Sequence, residues 1–123
     1  MSEIKENVLL TKSHGFALAI IMLYKLISKN RYELVLPKQI LRSGTSIGAL
    51  VREAQNAESK ADFVHKLAIA QKECDETIYW LELLNETGDL VNDQYVPLKN
   101  EAESLLKIIR SSILTAKRNM QKN

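Results

Sequence analysis

The sequence predicts an all-α protein that folds as an antiparallel, up-down-up-down four-helix bundle. Three observations support this prediction. Apolar residues recur at alternating spacings of three and four, the 123 residues include only four glycines and two prolines, and the connections between the apolar patterns are short. A chain of this length and composition is expected to form one domain, over residues 1–123.

The first helix is predicted over about residues 4–29, and apolar side chains cover much more than one stripe of it. Because only one side of a helix faces the core of a four-helix domain, a second contact is expected, most simply with another copy of the chain. The apolar run from Phe16 to Tyr24 is far shorter than the roughly 20 residues of a membrane span. We therefore expect a buried helix and no membrane partner.

The second helix is predicted over about residues 37–57, with Pro37 at the first position, where a missing N–H costs least. Two glycines in its interior, Gly44 and Gly48, would each cost roughly 1 kcal/mol relative to alanine. Close approach of a neighbouring backbone is the expected compensation. The predicted core residues are Ile40, Leu41, Ile47, Val51 and Ala54.

The third helix, over about residues 60–86, has the clearest pattern. Ser59 and Asp62 resemble a capping box at its start, and Gly88 suits the left-handed conformation that often ends a helix. One face is predicted to form a continuous seam of Phe63, Leu67, Ala70, Cys74, Thr77, Leu81 and Leu84.

The fourth helix is predicted over about residues 97–119, starting at Pro97 after a short loop. Connections this short between long helices favour antiparallel neighbours. The predicted apolar positions are Leu98, Ala102, Leu105, Leu106, Ile109, Ile113 and Ala116.

The single cysteine and the N-terminus bear on the compartment. Cys74 lies on the apolar seam and has no internal partner for a disulfide, so a small buried thiol in a reducing environment is expected. The first residues are charged and mixed, unlike a secretory signal. These features predict a cytoplasmic protein.

The net charge of +2 hides an uneven distribution. The segment from Glu73 to Asp93 contains seven acidic residues and no basic one, whereas the chain after Glu103 contains five basic residues and no acid. Clustered cations suit phosphate binding. The alternative is a solvated helical face whose cations favour the helix C-terminus. The candidates for nucleic-acid contacts are Arg42, Arg52, Lys107, Arg110, Lys117 and Arg118.

For Arg42 and Arg52, ion pairing across the bundle or a subunit boundary competes with phosphate binding. We favour ion pairing over phosphate binding, because acidic residues and a tryptophan share one face of the third helix. Such a network would determine helix register more than stability. Its candidate members are Glu53, Glu73, Glu76 and Trp80.

No pattern of residues predicts catalysis. The two histidines, His14 and His65, lack the Glu-x-x-His spacing of carboxylate-bridged metal sites. The sequence has no glycine-rich phosphate loop, and no serine lies near a histidine and carboxylate pair. We therefore expect no metal, no cofactor and no enzymatic activity.

Two segments resemble a known family, the 23S rRNA intervening-sequence proteins, also called S23 ribosomal proteins. They are QILRSGTSIGALVREA, residues 39–54, and DFVHKLAIAQKECDETIYWLELL, residues 62–84. Leu50 departs from the pattern, which usually has Asn there. The matching residues are Arg42, Ser43, Thr45, Ser46, Ile47, Gly48 and Ala49 in the first segment, and Asp62, Phe63, Lys66, Leu67, Ile69, Ala70, Lys72, Glu73, Glu76, Thr77, Tyr79, Trp80 and Leu81 in the second.

The resemblance implies a four-helix bundle assembled into a homo-oligomeric ring, most often a homopentamer. Related accessory proteins act beside reverse transcriptases in retroelements, where they bind the polymerase and nucleic acid. The sequence therefore leads to the hypothesis of a non-enzymatic accessory protein that binds RNA or DNA backbone, with a ring formed through its first and second helices. The alternative is a scaffold that docks a partner protein without nucleic acid.

Overall fold

A computed structural model of the protein describes residues 2–29 and 31–121, with side chains from residue 8 onward. Four helices account for nearly all of these residues, and no β-strand occurs among them: α1 (Ser2–Ser28), α2 (Val35–Gln55), α3 (Lys60–Glu86) and α4 (Asn92–Gln121). The packed pairs are α1–α2, α2–α3, α3–α4 and α1–α4, whereas the diagonal pairs remain apart. The prediction of an all-α four-helix bundle is therefore confirmed.

The seam predicted on α3 forms the centre of the core. Six of its seven residues are buried, and the seventh, Phe63, packs partly buried against them. On α2, Leu41 is also only half-buried, and the buried face includes Ser43 and Gly44. The largest fully buried side chains come from all four helices and from Leu90 in the α3–α4 connection.

The two glycines of α2 lie where α1 approaches closely. A Cβ at Gly48 would lie 3.2 Å from the backbone oxygen of Ser13, and a Cβ at Gly44 would lie 2.8 Å from Cγ1 of Ile20. The expected close approach of a backbone is therefore confirmed at Gly48. At Gly44 the close neighbour is a side chain.

The ends of α3 follow local chain chemistry. The backbone N–H of Asp62 donates to Ser59 Oγ at 3.1 Å, and the Asp62 carboxylate accepts from the Glu58 N–H at 3.2 Å. The second bond therefore goes one residue further back than in a standard capping box. Gly88 has φ of +84°, the left-handed conformation that was predicted.

Two helix starts differ from the predicted positions. Helix α2 begins at Val35, which leaves Pro37 within the first turn, where its N–H would have no partner in any case. Helix α4 begins at Asn92, so residues 92–96, which were predicted as part of the loop over residues 90–96, are helical instead. Pro97 lies inside α4 and leaves the Asp93 carbonyl without a helical partner. Both residues are exposed, so water can replace that bond.

One side of helix α1 is not covered within the protomer. Leu18, Met22 and Leu26 are 53%, 64% and 52% exposed, at four-residue spacing on the outward face. Among the described residues, the segment Val8–Ser28 has the length and apolar composition of a membrane span. This is weak evidence for a span, because core helices of water-soluble proteins share these properties, and Phe16 and Ile20 within it are buried in the bundle.

Candidate nucleic-acid interface and polar network

Four predicted nucleic-acid contacts form a row on the C-terminal half of α4. Lys107, Arg110, Lys117 and Arg118 are all exposed. Their successive spacings of three, seven and one residues place them on one broad face, about 16 Å long at 1.5 Å per residue. None forms an ion pair with another described residue. We call these four residues the α4 basic row.

The sequence around the α4 basic row explains why its cations form no ion pairs with other described residues. Arg118 lies in the last turn of α4, where the helix dipole favours a cation. No acidic residue follows Glu103 in the chain, so α4 itself offers no carboxylate over its last four turns. Arg110 lies near α3, where its charge opposes the rise in the pKa of Cys74.

Cys74 has no nucleophilic character. Its Sγ lies 3.1 Å from the Ala102 carbonyl oxygen, to which the thiol donates. Burial and, to a smaller extent, the charge of Asp75 raise the pKa of the Cys74 thiol, Arg110 opposes the rise, and the resulting pKa is about 12. The thiol therefore stays protonated at neutral pH, and the interpretation of Cys74 as a small buried group is confirmed.

Arg42 is placed differently from the α4 basic row. Its guanidinium donates to Glu73 at 3.1 Å through one terminal nitrogen and to Glu76 through the other. Partial burial disfavours its charge, but the two carboxylates outweigh this effect and raise the pKa of Arg42. The indole N–H of Trp80 donates to the same Glu76 oxygen at 3.1 Å. A phosphate at Arg42 would therefore have to compete with two carboxylates from α3.

A buried polar pair lies directly inside this network. The Thr77 hydroxyl lies 2.9 Å from Ser43 Oγ, and both side chains are inaccessible to solvent. Ser43 follows Arg42 on α2, and Thr77 follows Glu76 on α3. The outer ion pairs and the inner hydroxyl pair thus join α2 to α3 in two layers. The inner pair was not predicted from the sequence, although Ser43 directly follows Arg42 and Thr77 directly follows Glu76.

Arg52 and Glu53 lie elsewhere. They line an open groove of about 680 Å³ between α1, α2 and the start of α3. Glu53 pairs with Lys66 at 3.2 Å, whereas Arg52 has no ion pair among the described residues. The groove also contains the carboxylates of Glu58 and Asp62. Because α2 and α4 are diagonal in the bundle, the structure does not bring Arg52 together with the α4 basic row.

Tyr79 and Trp80 form a tilted pair with ring centroids 5.1 Å apart. Tyr79 is 53% exposed, and Trp80 is partly buried against the core. The exposed ring lies on the acidic half of α3. Repulsion between carboxylates and phosphates makes this face a poor place to stack a nucleic-acid base.

The comparisons with known proteins identify the family. Residues 5–111 match the family described as 23S rRNA-intervening sequence protein. The chain belongs to this family. It is also similar to the crystal structure of a protein with unknown function from the S23 ribosomal protein family, from Bacteroides thetaiotaomicron VPI-5482. The two chains are 50% identical, with a TM-score of 0.86 over 89% of this chain and 97% of the other. No curated protein matches the chain.

The family resemblance seen in the two sequence segments is thereby confirmed, and the link to retroelement accessory proteins stays a prediction. The structure gives those segments a common location. Residues of the first segment, on α2, meet residues of the second, on α3, through the Arg42 ion pairs and the Ser43–Thr77 contact. In this member of the 23S rRNA-intervening sequence protein family, these motif residues therefore hold two helices together.

Proposed function

We propose that this family member is a non-enzymatic, homo-oligomeric protein of the cytoplasm that binds the backbone of RNA or DNA through the α4 basic row. The observation that carries the proposal is the row itself: four exposed cations on one helix, without a carboxylate partner among the described residues. Unpaired Lys and Arg side chains can neutralise phosphates without first breaking an ion pair.

The side chains around the row favour backbone contacts over recognition of sequence. Ser111 and Leu114 lie between the cations, and no aromatic side chain occurs on the C-terminal half of α4. Phosphate contacts position a protein on nucleic acid, whereas base contacts specify the sequence. The proposed role is therefore that of a ribonucleoprotein-type accessory factor with little sequence preference.

Oligomer formation would align several such rows. The exposed apolar side chains of α1 that support it are Leu18, Met22 and Leu26, and a groove of about 450 Å³ beside them continues to Pro97 on α4. A second copy that covers this surface removes apolar area from water. The sequence hypothesis placed the ring contacts on α1 and α2; the exposed apolar residues instead favour α1 and the N-terminal part of α4. A homopentameric ring, as the resemblance implies, would present one α4 basic row per subunit.

The same apolar surface supports a second candidate function, a scaffold that docks a partner protein without nucleic acid. In that case the α4 basic row would contribute solubility or electrostatic steering. The two functions differ in one measurable property. A phosphate-binding protein has an affinity for nucleic acid that depends strongly on salt, whereas the scaffold would not bind nucleic acid.

The experiment measures binding of the purified full chain to a labelled structured RNA and to a duplex DNA. The test variant is Arg110→Glu/Lys117→Glu/Arg118→Glu. The control, Lys25→Glu/Lys38→Glu/Lys72→Glu, changes three exposed lysines of α1, α2 and α3 and gives the same net charge. We expect at least a tenfold greater loss of affinity in the test variant, because it reverses three phosphate contacts. Equal losses in the two variants would contradict the proposed site.

A further inference from the structure

A small pocket lies at the end of the bundle where α2 passes into α3, and the C-terminal half of α4 forms its other wall. Its volume is about 320 Å³. This is at the lower end of the range for small-molecule sites, which is roughly 300 to 1,000 Å³. The α4 residues that line it, including the buried Ser112, the half-buried Thr115 and the exposed Asn119, lie on a different side of α4 from Lys107, Arg110, Lys117 and Arg118. The pocket is therefore separate from the outward-facing α4 basic row.

Two residues on opposite walls of this pocket carry buried polar atoms without a partner. They are Ser112 Oγ on α4 and Gln55 Nε2 on α2, and neither forms a hydrogen bond with another described residue. Ser112 is only 6% exposed. Buried polar groups are nearly always hydrogen-bonded, and an unsatisfied one costs free energy. An amide nitrogen can only donate and a hydroxyl can donate, so a ligand with acceptor oxygens would satisfy both atoms.

The one charge that lines the pocket favours an anion, although the Asp62 carboxylate also lies in the first turn of α3. Lys60 is the one charged side chain among the described residues that line it, and no carboxylate does so. Lys60 has no ion pair within the described part of the chain. The pocket also includes Ser59 at the N-terminus of α3, a helix of 27 residues. The positive end of a helix dipole and its free N–H groups attract anions.

We propose that this pocket binds a phosphate group, with Lys60 supplying positive charge and the Gln55 amide and Ser112 hydroxyl donating to its oxygens. A phosphate oxygen accepts several hydrogen bonds at once, which matches the number of donors on the walls. The group is either that of a free phosphomonoester or the terminal phosphate of a nucleic-acid strand. This inference goes beyond the proposed function, because backbone binding by the α4 basic row does not require the pocket.

Calorimetric titration of the full chain tests the proposal with three probes: inorganic phosphate, adenosine 5′-monophosphate and adenosine. We expect the first two to bind and adenosine not to bind. Ser112→Ala and Lys60→Gln should each weaken binding roughly tenfold or more, since each removes a contact to a charged group. The matched control is Lys72→Gln, which removes an exposed lysine of α3 outside the pocket and should leave the affinity unchanged.

Stability without ligand gives a second readout. Because Ser112 Oγ has no hydrogen-bond partner among the residues that the structure describes, Ser112→Ala should unfold at the same temperature as the wild type or higher. Failure of both phosphate probes to bind would overturn the proposal, as would an equal loss of affinity in Lys72→Gln. A lower unfolding temperature of Ser112→Ala, together with no binding, would assign the hydroxyl to a structural water instead.

Two RNA strands that differ only in a 5′-phosphate or a 5′-hydroxyl distinguish the sources. Tighter binding of the phosphorylated strand, lost in Ser112→Ala, assigns the pocket to a strand end. Equal binding of both strands, with adenosine monophosphate still bound, assigns it to a free phosphomonoester, and either result supports the pocket. The charge-reversal variant of α4 should retain phosphate binding, so failure of the backbone proposal is distinguishable from failure of this one.

Discussion

Gly48 of α2 faces the backbone oxygen of Ser13 on α1 so closely that a Cβ at position 48 would lie 3.2 Å from that oxygen. Backbone cannot move aside as a flexible side chain can. The small residue at position 48 therefore determines how closely α1 and α2 pack, and α1 in turn carries the exposed apolar surface.

Replacing Gly48 should destabilise the protomer itself. Gly48→Ala adds overpacking of about 1–3 kcal/mol but gains about 1 kcal/mol of helix propensity, so we expect a net loss of about 1 kcal/mol. Gly48→Leu should cost about 3 kcal/mol or more. Denaturant unfolding measures both. Gly15→Ala is the control: among the described residues, no atom outside the adjoining backbone of α1 lies within 4 Å of its added Cβ, so the same exchange in α1 should not destabilise. Equal effects at the two positions would contradict the close packing.

The Arg42 network should be separable from nucleic-acid binding. Arg42→Gln removes the ion pairs to Glu73 and Glu76 and should change the fluorescence of Trp80, the single tryptophan, which donates to Glu76. Nucleic-acid affinity should change less than about twofold, because these carboxylates already occupy the guanidinium. Arg110→Gln is the comparison variant: we expect it to reduce the affinity for nucleic acid and to leave the fluorescence of Trp80 unchanged. A large loss of affinity in Arg42→Gln would move Arg42 into the interface.

The Cys74 thiol should make stability fall at alkaline pH. Folding raises its pKa from 9.0 to about 12, so the folded state holds the proton more tightly than the unfolded state. The resulting stability is fully present below pH 9 and is lost as pH rises from about 9 towards 12, by at most about 1.4 kcal/mol per pH unit. Unfolding at pH 8 and pH 10 measures this loss. Cys74→Ala should show a smaller fall over the same range, and an identical fall would show that other groups cause it.

The exposed face of α1 should control association. Met22→Glu/Leu26→Glu places charges on side chains that are 64% and 52% exposed, so the protomer should remain folded while its oligomers dissociate. Light scattering gives the mass, and circular dichroism checks the fold. Val35→Glu, at a 69% exposed position on α2, is the control and should retain the wild-type mass. A wild-type monomer, or an unchanged mass of the double variant, would contradict a contact through α1.

The sequence predicts those parts of the fold that depend on local chemistry. The predictions were correct for the buried seam of α3, for the Ser59 cap and for the left-handed conformation of Gly88. Each of these depends on helical periodicity or on helix-end geometry, which involve residues only a few positions apart. The predicted start of α4 was wrong because Pro97 was assigned the first helical position. Proline is tolerated inside α4 because this part of the helix is exposed, so water can replace the hydrogen bond that Pro97 removes.

Long-range features were less predictable. Close approach at Gly48 could be expected, but its partner Ser13 could not, because that depends on the relative heights of α1 and α2. The Ser43–Thr77 pair and the pocket between Gln55 and Ser112 depend on the same information. For the α4 basic row, the sequence supplies the charges, whereas the absence of ion pairs among the described residues required the structure.

The most direct test of backbone binding by the α4 basic row is the salt dependence of duplex DNA affinity in the wild type and in Arg110→Gln/Lys117→Gln/Arg118→Gln. Each phosphate contact contributes about 0.9 to the slope of log affinity against log salt. We expect a steep slope for the wild type. In the variant, the magnitude of the slope should be smaller by about 2 to 3 for each subunit that contacts the DNA. An unchanged slope, or no binding by the wild type at low salt, would contradict the account.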